Sequence, residues 1–367
     1  MIIPDNNRYL EYFYNNTYYP SKWAAAQAAH LDGIQDNFLF SSIQATLCRK
    51  HNFFSNLNTI QEPKESWEEL LKERATFLRD SLPKIVIAFS GGADSFTLLN
   101  AFVRNGLHVD KIIVGDAYSL LKDKSLNYEI KNFAFPMLEY FDLKNTEIEV
   151  ASFENISKWS QYVLDEELYW DEGYQILPTV NVSLLRTLYR YSDDQKIIRG
   201  VTEPRVYWCK KTSNWRAEMW DTDNWYNTGA DHFTIPFFSD PHFPKLHLKQ
   251  LHLTKNELKR LSLADSSFLF NPSPYKYKTA YQRVTRGDIP KQFDMTSSPF
   301  FLKNNLNNKD NVFKYDMYNK KLEFYKTLYK DQKNLTERIF SIVDTKIGNT
   351  PIHKHKYGCR IFDIPLA

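Results

Sequence analysis

Six consecutive residues, Ser90-Gly91-Gly92-Ala93-Asp94-Ser95, bring two hydroxyls, two glycines and a carboxylate into one short stretch. Together these residue types suit an anion. Glycines accept positive φ and lack a Cβ, so the backbone N–H groups beside them can approach a ligand closely. Hydroxyls donate to phosphate oxygens. A carboxylate either helps to hold Mg2+ or supplies negative charge to the first turn of a helix, and both roles stay open for Asp94 at this point. Before the stretch, Lys84-Ile85-Val86-Ile87-Ala88-Phe89 carries the unbroken apolar run of a strand covered on both faces in a parallel sheet. After it, Asp94 to about Arg104 reads as a helix, with Phe96, Leu98, Leu99, Ala101, Phe102 and Val103 available for packing. A helix that opens on a glycine turn presents unpaired N–H groups and its positive dipole end. Strand, turn and helix thus predict a phosphate-binding loop.

The loop is not of the Walker type, because no Gly-Lys-Ser/Thr occurs in the chain, and the dinucleotide pattern Gly-x-Gly-x-x-Gly is absent too. Instead, Ser90 to Ser95 resembles the Ser-Gly-Gly-x-Asp-Ser signature of the PP-loop ATP pyrophosphatases and matches all five of its fixed positions. That superfamily includes asparagine synthetase, ammonia-dependent NAD synthetase, the ATP domain of GMP synthetase and several tRNA-modifying enzymes. The resemblance implies an α/β fold with a parallel-sheet nucleotide-binding domain of the adenine nucleotide alpha hydrolase-like type. It also implies ATP and Mg2+ as ligands, and cleavage between the α- and β-phosphates. Under it, the amides of Gly91, Gly92 and Ala93 and the hydroxyls of Ser90 and Ser95 hold the leaving pyrophosphate, while Asp94 holds the metal.

The surrounding elements alternate as such a fold requires. Strands are expected at Lys111–Asp116, Thr146–Ala151 and Gln195–Gly200. Helices are expected at Ser125–Phe141 (bent near Pro136), Ile156–Trp170 and Val180–Tyr191. Ligands of such sheets bind at the carboxyl ends of the strands. Asp116, ending the second strand, therefore faces ribose, adenine or metal, or else caps its turn. The fourth strand runs into Gly200-Val201-Thr202-Glu203-Pro204-Arg205, similar to the family's second landmark of a glycine followed by an acidic residue. Glu203 is accordingly a second metal contact, a substrate-orienting group or an ordinary loop carboxylate. Charge on a departing pyrophosphate calls for cations. Arg199, Arg205, Lys210 and Lys211 flank this strand end, with Lys210 and Arg205 the first candidates.

Three regions follow: a helical N-terminal segment over 1–63, the nucleotide domain over 64–205, and an aromatic-rich α+β substrate or lid region over 206–367. The alanine run Lys22–His30 and the Tyr- and Asn-rich stretch before it read as part of the helical segment. Ser66 and Glu69 have capping-box spacing at the head of a helix whose apolar face includes Leu70, Leu71, Arg74, Ala75 and Leu78. Trp215–Trp220 is expected as a short helix over the ATP site, and Thr254 as the N-cap of a helix to about Leu263. Tyr275–Arg283 reads as an alternating strand, or as a basic aromatic contact for a polynucleotide. Trp208, Trp215, Trp220 and Trp225 fill a core or stack on a substrate. His242, His247 and His252 recur every five residues, a spacing poor for metal ligation. Asn304–Asn311 reads as a loop and Phe313–Lys333 as near-helical. Cys359 is similar in position to the late cysteine of the sulfonucleotide reductases, with an unreactive thiol as the default.

At 367 residues the chain is long enough for about two domains, and a net charge of +3 is too small to make the whole molecule a nucleic-acid binder. Its three cysteines form no Cys-x-x-Cys pair, which suits a reducing cytoplasm and disfavours a structural zinc site. No apolar run reaches membrane-spanning length, and the N-terminus turns polar too early for a signal peptide. The expected activity is adenylation of a carboxylate or carbonyl oxygen on a small-molecule or nucleic-acid acceptor, followed by attack of an amine, ammonia or another nucleophile. Glutamine-dependent members carry an amidase domain and asparagine synthetases an N-terminal cysteine. This chain starts Met1-Ile2-Ile3, so an ammonia- or amine-supplying partner is expected. The alternative is a non-catalytic nucleotide-binding component of an assembly.

Overall fold

The computed structural model describes residues 10–19, 25, 28–29, 31–34, 43–47, 57–116, 130–152, 196–200, 204–220, 234–240, 242–270, 272, 274–293 and 360–367. The first elements are strands, not helices. β1 (Leu10–Tyr14) and β2 (Thr17–Tyr19) form a hairpin, and β3 (Gln44–Leu47) pairs with the other edge of β1. Over 10–19 and 44–47 the chain is therefore strand where a helical segment over 1–63 was expected, and the reason is local. Tyrosine favours strands, and Asn15 and Asn16 take positive φ of 48° and 59°, the geometry of a two-residue hairpin turn. In the alanine run Ala25, Ala28 and Ala29 are helical, and Ala25 and Ala29 are buried.

α1 (Trp67–Ser81) opens on the expected capping box: Glu69 N–H donates to Ser66 Oγ at 3.2 Å and Ser66 N–H to Glu69 Oε2 at 2.7 Å. It leads to β4 (Val86–Phe89), α2 (Ala93–Val103) and β5 (Lys111–Asp116). A π-helical turn over Ile130–Ala134 runs into α3 (Phe135–Tyr140), whose first turn contains Pro136, and β6 (Glu147–Ser152) follows. β7 (Ile197–Arg199), the hairpin of β8 (Arg205–Cys209) and β9 (Asn214–Trp220), and β10 (Thr234–Pro236) come next. The C-terminal part holds α4 (Pro244–Ser262), α5 (Ser267–Phe270), α6 (Pro274–Thr285) and β11 (Arg360–Pro365).

β10, β7, β4, β5 and β6 form, in that order, one wholly parallel sheet. The chain thus builds from β4 outward through β5 and β6, then returns to the other side of β4 with β7 and β10. The reversal lies between β4 and β7, and at such a point the two carboxyl ends diverge and leave a crevice. β10 comes from 234–236, beyond the expected 64–205 span. Leu70, Leu71, Ala75 and Leu78 of α1 pack with Phe96, Leu98, Leu99 and Phe102 of α2 into the core built on this sheet. Arg74 shares the buried face of α1 for a polar reason: its Nε donates to Phe237 O at 3.1 Å and its Nη2 to Asp240 Oδ2 at 2.6 Å. That pins α1 to the chain leaving β10.

A second sheet, order β11-β9-β8 and antiparallel, lies over a separate core with Val206, Trp215, Ala217, Met219, Leu251, Leu258 and Ile364. Three expectations are corrected here. Trp215–Trp220 is strand, because Trp215, Ala217 and Met219 alternate with Arg216 and Glu218, so only period two buries the apolar set. Tyr275–Arg283 is helix, because Tyr277, Ala280 and Tyr281 share one side at helical spacing, and the rings of Tyr277 and Tyr281 meet at 6.2 Å. Thr254 lies inside α4, where its Oγ1 donates to Gln250 O at 2.8 Å rather than capping a new helix. Trp208 packs edge-on against Trp215 at 5.7 Å, on the side of that core. His247 and His252 are buried on α4, and no metal-ligating cluster occurs among the described residues. No helix among the described residues is long and apolar enough to cross a membrane. The expected helices at 156–170 and 180–191, Trp225, the segments at 304–311 and 313–333, Cys48 and Cys359 lie outside the described residues.

Candidate active site

β4 delivers the chain to the crevice, and the loop turns there on two glycines with different duties. Gly91 has φ of +76°, and a Cβ on it would stand 2.5 Å from Ala134 N. No other residue type fits this position, because the π-helical turn presses its backbone directly against the loop. Gly92 is the N-cap of α2, extended at φ −79° and ψ 163°, with no side chain to cap the helix. The first helical bond runs from Phe96 N–H to Gly92 O at 3.0 Å. Hence the N–H groups of Ala93, Asp94 and Ser95 make no hydrogen bond among the described residues. Three aligned donors, with the positive end of α2 behind them, are an anion site. Gly92, Ala93 and Asp94 are half-buried and Ser90 is exposed, so the site opens to solvent.

The hydroxyls are engaged within the loop. Ser95 Oγ donates to Gly92 O at 2.9 Å and lies 3.3 Å from Ser90 Oγ, which accepts from Gly92 N–H at 3.3 Å. The last two are long contacts that a better acceptor can replace.

Gly200 closes the other side of the crevice. A Cβ there would stand 2.6 Å from Asp94 O and 3.1 Å from Ser95 N, so the exit of β7 touches the backbone at the head of α2. Gly200 and the loop, 110 residues apart in sequence at Ser90, are thereby brought together. Arg199, just before, is buried, and loss of water pushes its guanidinium down to about 9. Asp116 ends β5, two residues past the Phe89–Val114 pair, at the same edge of the sheet. Glu203 lies outside the described residues. Arg205 and Lys210 belong to the β8–β9 hairpin: Arg205 faces Glu218 at 4.0 Å, and the exposed Lys210 places its ammonium 4.7 Å over the Phe270 ring.

The cation found on the loop is Arg286, immediately after α6. Its Nε donates to Asp94 Oδ1 at 2.7 Å. The Arg286 side chain has no exposed surface, whereas that of Asp94 is 28% exposed. Nothing in the sequence around 286 marked it, since the pairing spans 192 residues and Arg286-Gly287-Asp288 reads as a plain polar turn.

Asp94 fits the role of a Mg2+ ligand: its Oδ2 makes no hydrogen bond or ion pair among the described residues, and Mg2+ is commonly held by one or two carboxylates plus phosphate oxygens and water. The three unpaired amides and the Gly91 cradle fit a phosphate group.

No family model matches the chain, and no curated protein matches it. Among solved structures, the chain is similar to the NH3-dependent NAD synthetase from Campylobacter jejuni subsp. jejuni NCTC 11168, determined in complex with the nitrate ion. The identity is 15% and the TM-score 0.29, over 62% of this chain and 99% of that one. At that level of likeness, the parallel sheet and its loop have to speak for themselves.

Proposed function

We propose that this protein is an ATP pyrophosphatase that transfers AMP to an acceptor oxygen. One observation carries the reading: a Ser-Gly-Gly-Ala-Asp-Ser loop with three unpaired amides stands at the reversal point of a parallel sheet, against Gly200 of the returning strand. The amides of Ala93, Asp94 and Ser95 take the β- and γ-phosphates, and the Ser90 and Ser95 hydroxyls turn from each other to phosphate oxygens. Asp94 would hold Mg2+, which would supply charge neutralisation at the phosphates. A carboxylate or carbonyl oxygen of the acceptor attacks the α-phosphorus. The bond from that phosphorus to the oxygen bridging it to the β-phosphate breaks, and pyrophosphate leaves with the electron pair. An amine, ammonia or another nucleophile then displaces AMP, a far better leaving group than hydroxide. Holding the reactants together supplies much of the acceleration. The acceptor is a small molecule or a nucleic acid; for the latter, substrate binding falls steeply with salt.

A second reading, nucleotide binding without turnover, draws on the engaged state of the loop, in which both hydroxyls and Asp94 already have partners within the chain. ATP labelled at the α-phosphate separates the two. Incubated with Mg2+ and cell extract as acceptor source, the chain yields labelled AMP or a trapped adenylate under the first reading. Labelled ADP refutes α–β cleavage, and ATP binding without turnover favours the second reading.

A further inference from the structure

Arg286 is held on every side. Its Nη1 donates to Thr285 O at 2.9 Å, and its guanidinium lies 3.8 Å over the Phe238 ring and 5.7 Å from that of Trp67. Those two rings are themselves stacked, 6.1 Å apart and 9° from parallel. The next residues clip the same segment further along α2: Asn100 donates to Asp288 Oδ2 at 2.5 Å, and Arg104 lies 3.8 Å from it. Gly287, between them, has no room for a Cβ, which would stand 2.9 Å from Arg283 O. A guanidinium so wedged has one orientation, and so has whatever it binds.

The pair it makes with Asp94 is half made. In arginine, Nε–H and one N–H of Nη2 point the same way and form the fork that suits a carboxylate or phosphate bidentately. Here Nε engages Asp94 Oδ1, while Nη2 is buried with no hydrogen-bond partner among the described residues. Asp94 Oδ2 is likewise unengaged among the described residues. A bidentate pair would close both prongs. This one holds a single carboxylate oxygen and leaves the other for a third party.

We propose that Arg286 is a positioning residue for the metal-holding carboxylate: it fixes Asp94 through Oδ1 so that Oδ2 stays available to the cation that accompanies ATP. The proposal rests on the ATP reading above. It assigns to a residue far along the chain the task of orienting the loop carboxylate, as outer partners of metal ligands commonly do. Arg286 acts on the metal through Asp94 and does not itself touch the phosphates.

Arg286→Met tests this, because methionine fills the slot between Phe238 and Trp67 without charge, and the partly exposed Asp94 can turn to water. ATP affinity is measured by calorimetry with Mg2+ and with EDTA, and Mn2+ binding by electron paramagnetic resonance. In wild type, Mg2+ tightens ATP binding. In the variant, ATP binding in EDTA stays within roughly twofold, as for a residue that does not touch the ligand. The Mg2+ enhancement and Mn2+ affinity fall by about tenfold or more. Arg286→Lys, which keeps the charge but not the fork, gives an intermediate loss and carries the same comparison if the methionine variant does not fold. Equal weakening with and without metal overturns the proposal in favour of a direct phosphate contact. Unchanged metal dependence overturns it in favour of a purely structural tie. Wild-type protein that binds no ATP in either buffer overturns the ATP reading itself, and the proposal with it.

Discussion

Replacing Asp94 by alanine is the obvious way to disable the loop, and it should do more than that. Asp94 is the counter-charge of a guanidinium with no exposed surface. Removing one partner of a buried pair costs about 3–5 kcal/mol, because the other charge stays buried without compensation. The Asp94 side is 28% exposed and lets some water reach the gap, so the low end, about 3 kcal/mol, applies. For a chain of this length that corresponds to a fall in melting temperature on the order of 4 °C. Asp94→Asn keeps an oxygen acceptor for Nε but not the charge, so it should cost less than alanine, about 2 kcal/mol. In the double variant Asp94→Ala/Arg286→Met no stranded charge remains, so at least half of the loss should return, a coupling of about 2 kcal/mol. Calorimetric melting of wild type, both single variants and the double variant measures this directly. An Asp94→Ala protein that melts within a degree of wild type would refute the reasoning, as would a double variant whose loss is the plain sum of the singles. The consequence for enzymology is direct: loss of adenylation in Asp94→Ala alone is no proof of a metal role, whereas loss in a well-folded Asp94→Asn is.

Gly91→Ala and Gly106→Ala form a matched pair, with φ of +76° and +68°, but only at position 91 does the new methyl meet backbone, 2.5 Å from Ala134 N. Gly106→Ala should cost about 1 kcal/mol of backbone strain and leave ATP affinity untouched. Gly91→Ala should cost clearly more and abolish ATP binding; equal melting temperatures for the two would remove Ala134 from the account. The acid limb of stability offers a further check. Burial pushes the His247 imidazole down to about 4, so the unfolded chain binds a proton there between about pH 6.5 and 4 that the folded chain does not. Stability from this group is complete above pH 6.5 and declines as pH falls through that window, by up to roughly 3 kcal/mol at pH 4. His247→Met should flatten the pH dependence of urea midpoints across it, and an unchanged slope would place the titrating group elsewhere.

The parallel sheet was legible because its signals are local. Ile85–Phe89, Lys111–Asp116 and Thr146–Ala151 are short apolar or alternating runs bounded by turns, and each lies within a residue or two of an observed strand. The capping box at Ser66 and Glu69 was readable for the same reason, since both hydrogen bonds close within three residues. What failed was period-reading in the aromatic C-terminal half. Lys276 and Lys278 alternate with tyrosines and imitate a strand, yet the packing partners Tyr277 and Tyr281 are four apart, and only tertiary contact chooses between the two periods. Trp215–Trp220 erred the opposite way, toward helix. The hairpin at Asn15-Asn16 carried a turn signal that the high tyrosine content obscured.

The candidate site was half legible on the same principle. Backbone-driven parts, Gly91, Gly92 and Gly200, could be named, because a missing Cβ is a property of one residue. The electrostatic part could not, because a buried cation is chosen by the fold. Arg205 and Lys210 were plausible by proximity in sequence to the end of β7, but Arg205 faces Glu218 across the β8–β9 hairpin and Lys210 lies over the Phe270 ring. α6 supplies the link instead. Near its start, the Tyr277 hydroxyl donates to Pro204 O and accepts from Val206 N–H at 2.7 Å, gripping the chain just past β7. Just beyond its end, Arg286 grips Asp94. One helix thus joins the start of β8 at one end to the head of α2 at the other. The contacts at its two ends, 204–206 and Asp94, lie far from α6 in sequence, so no local pattern could announce them.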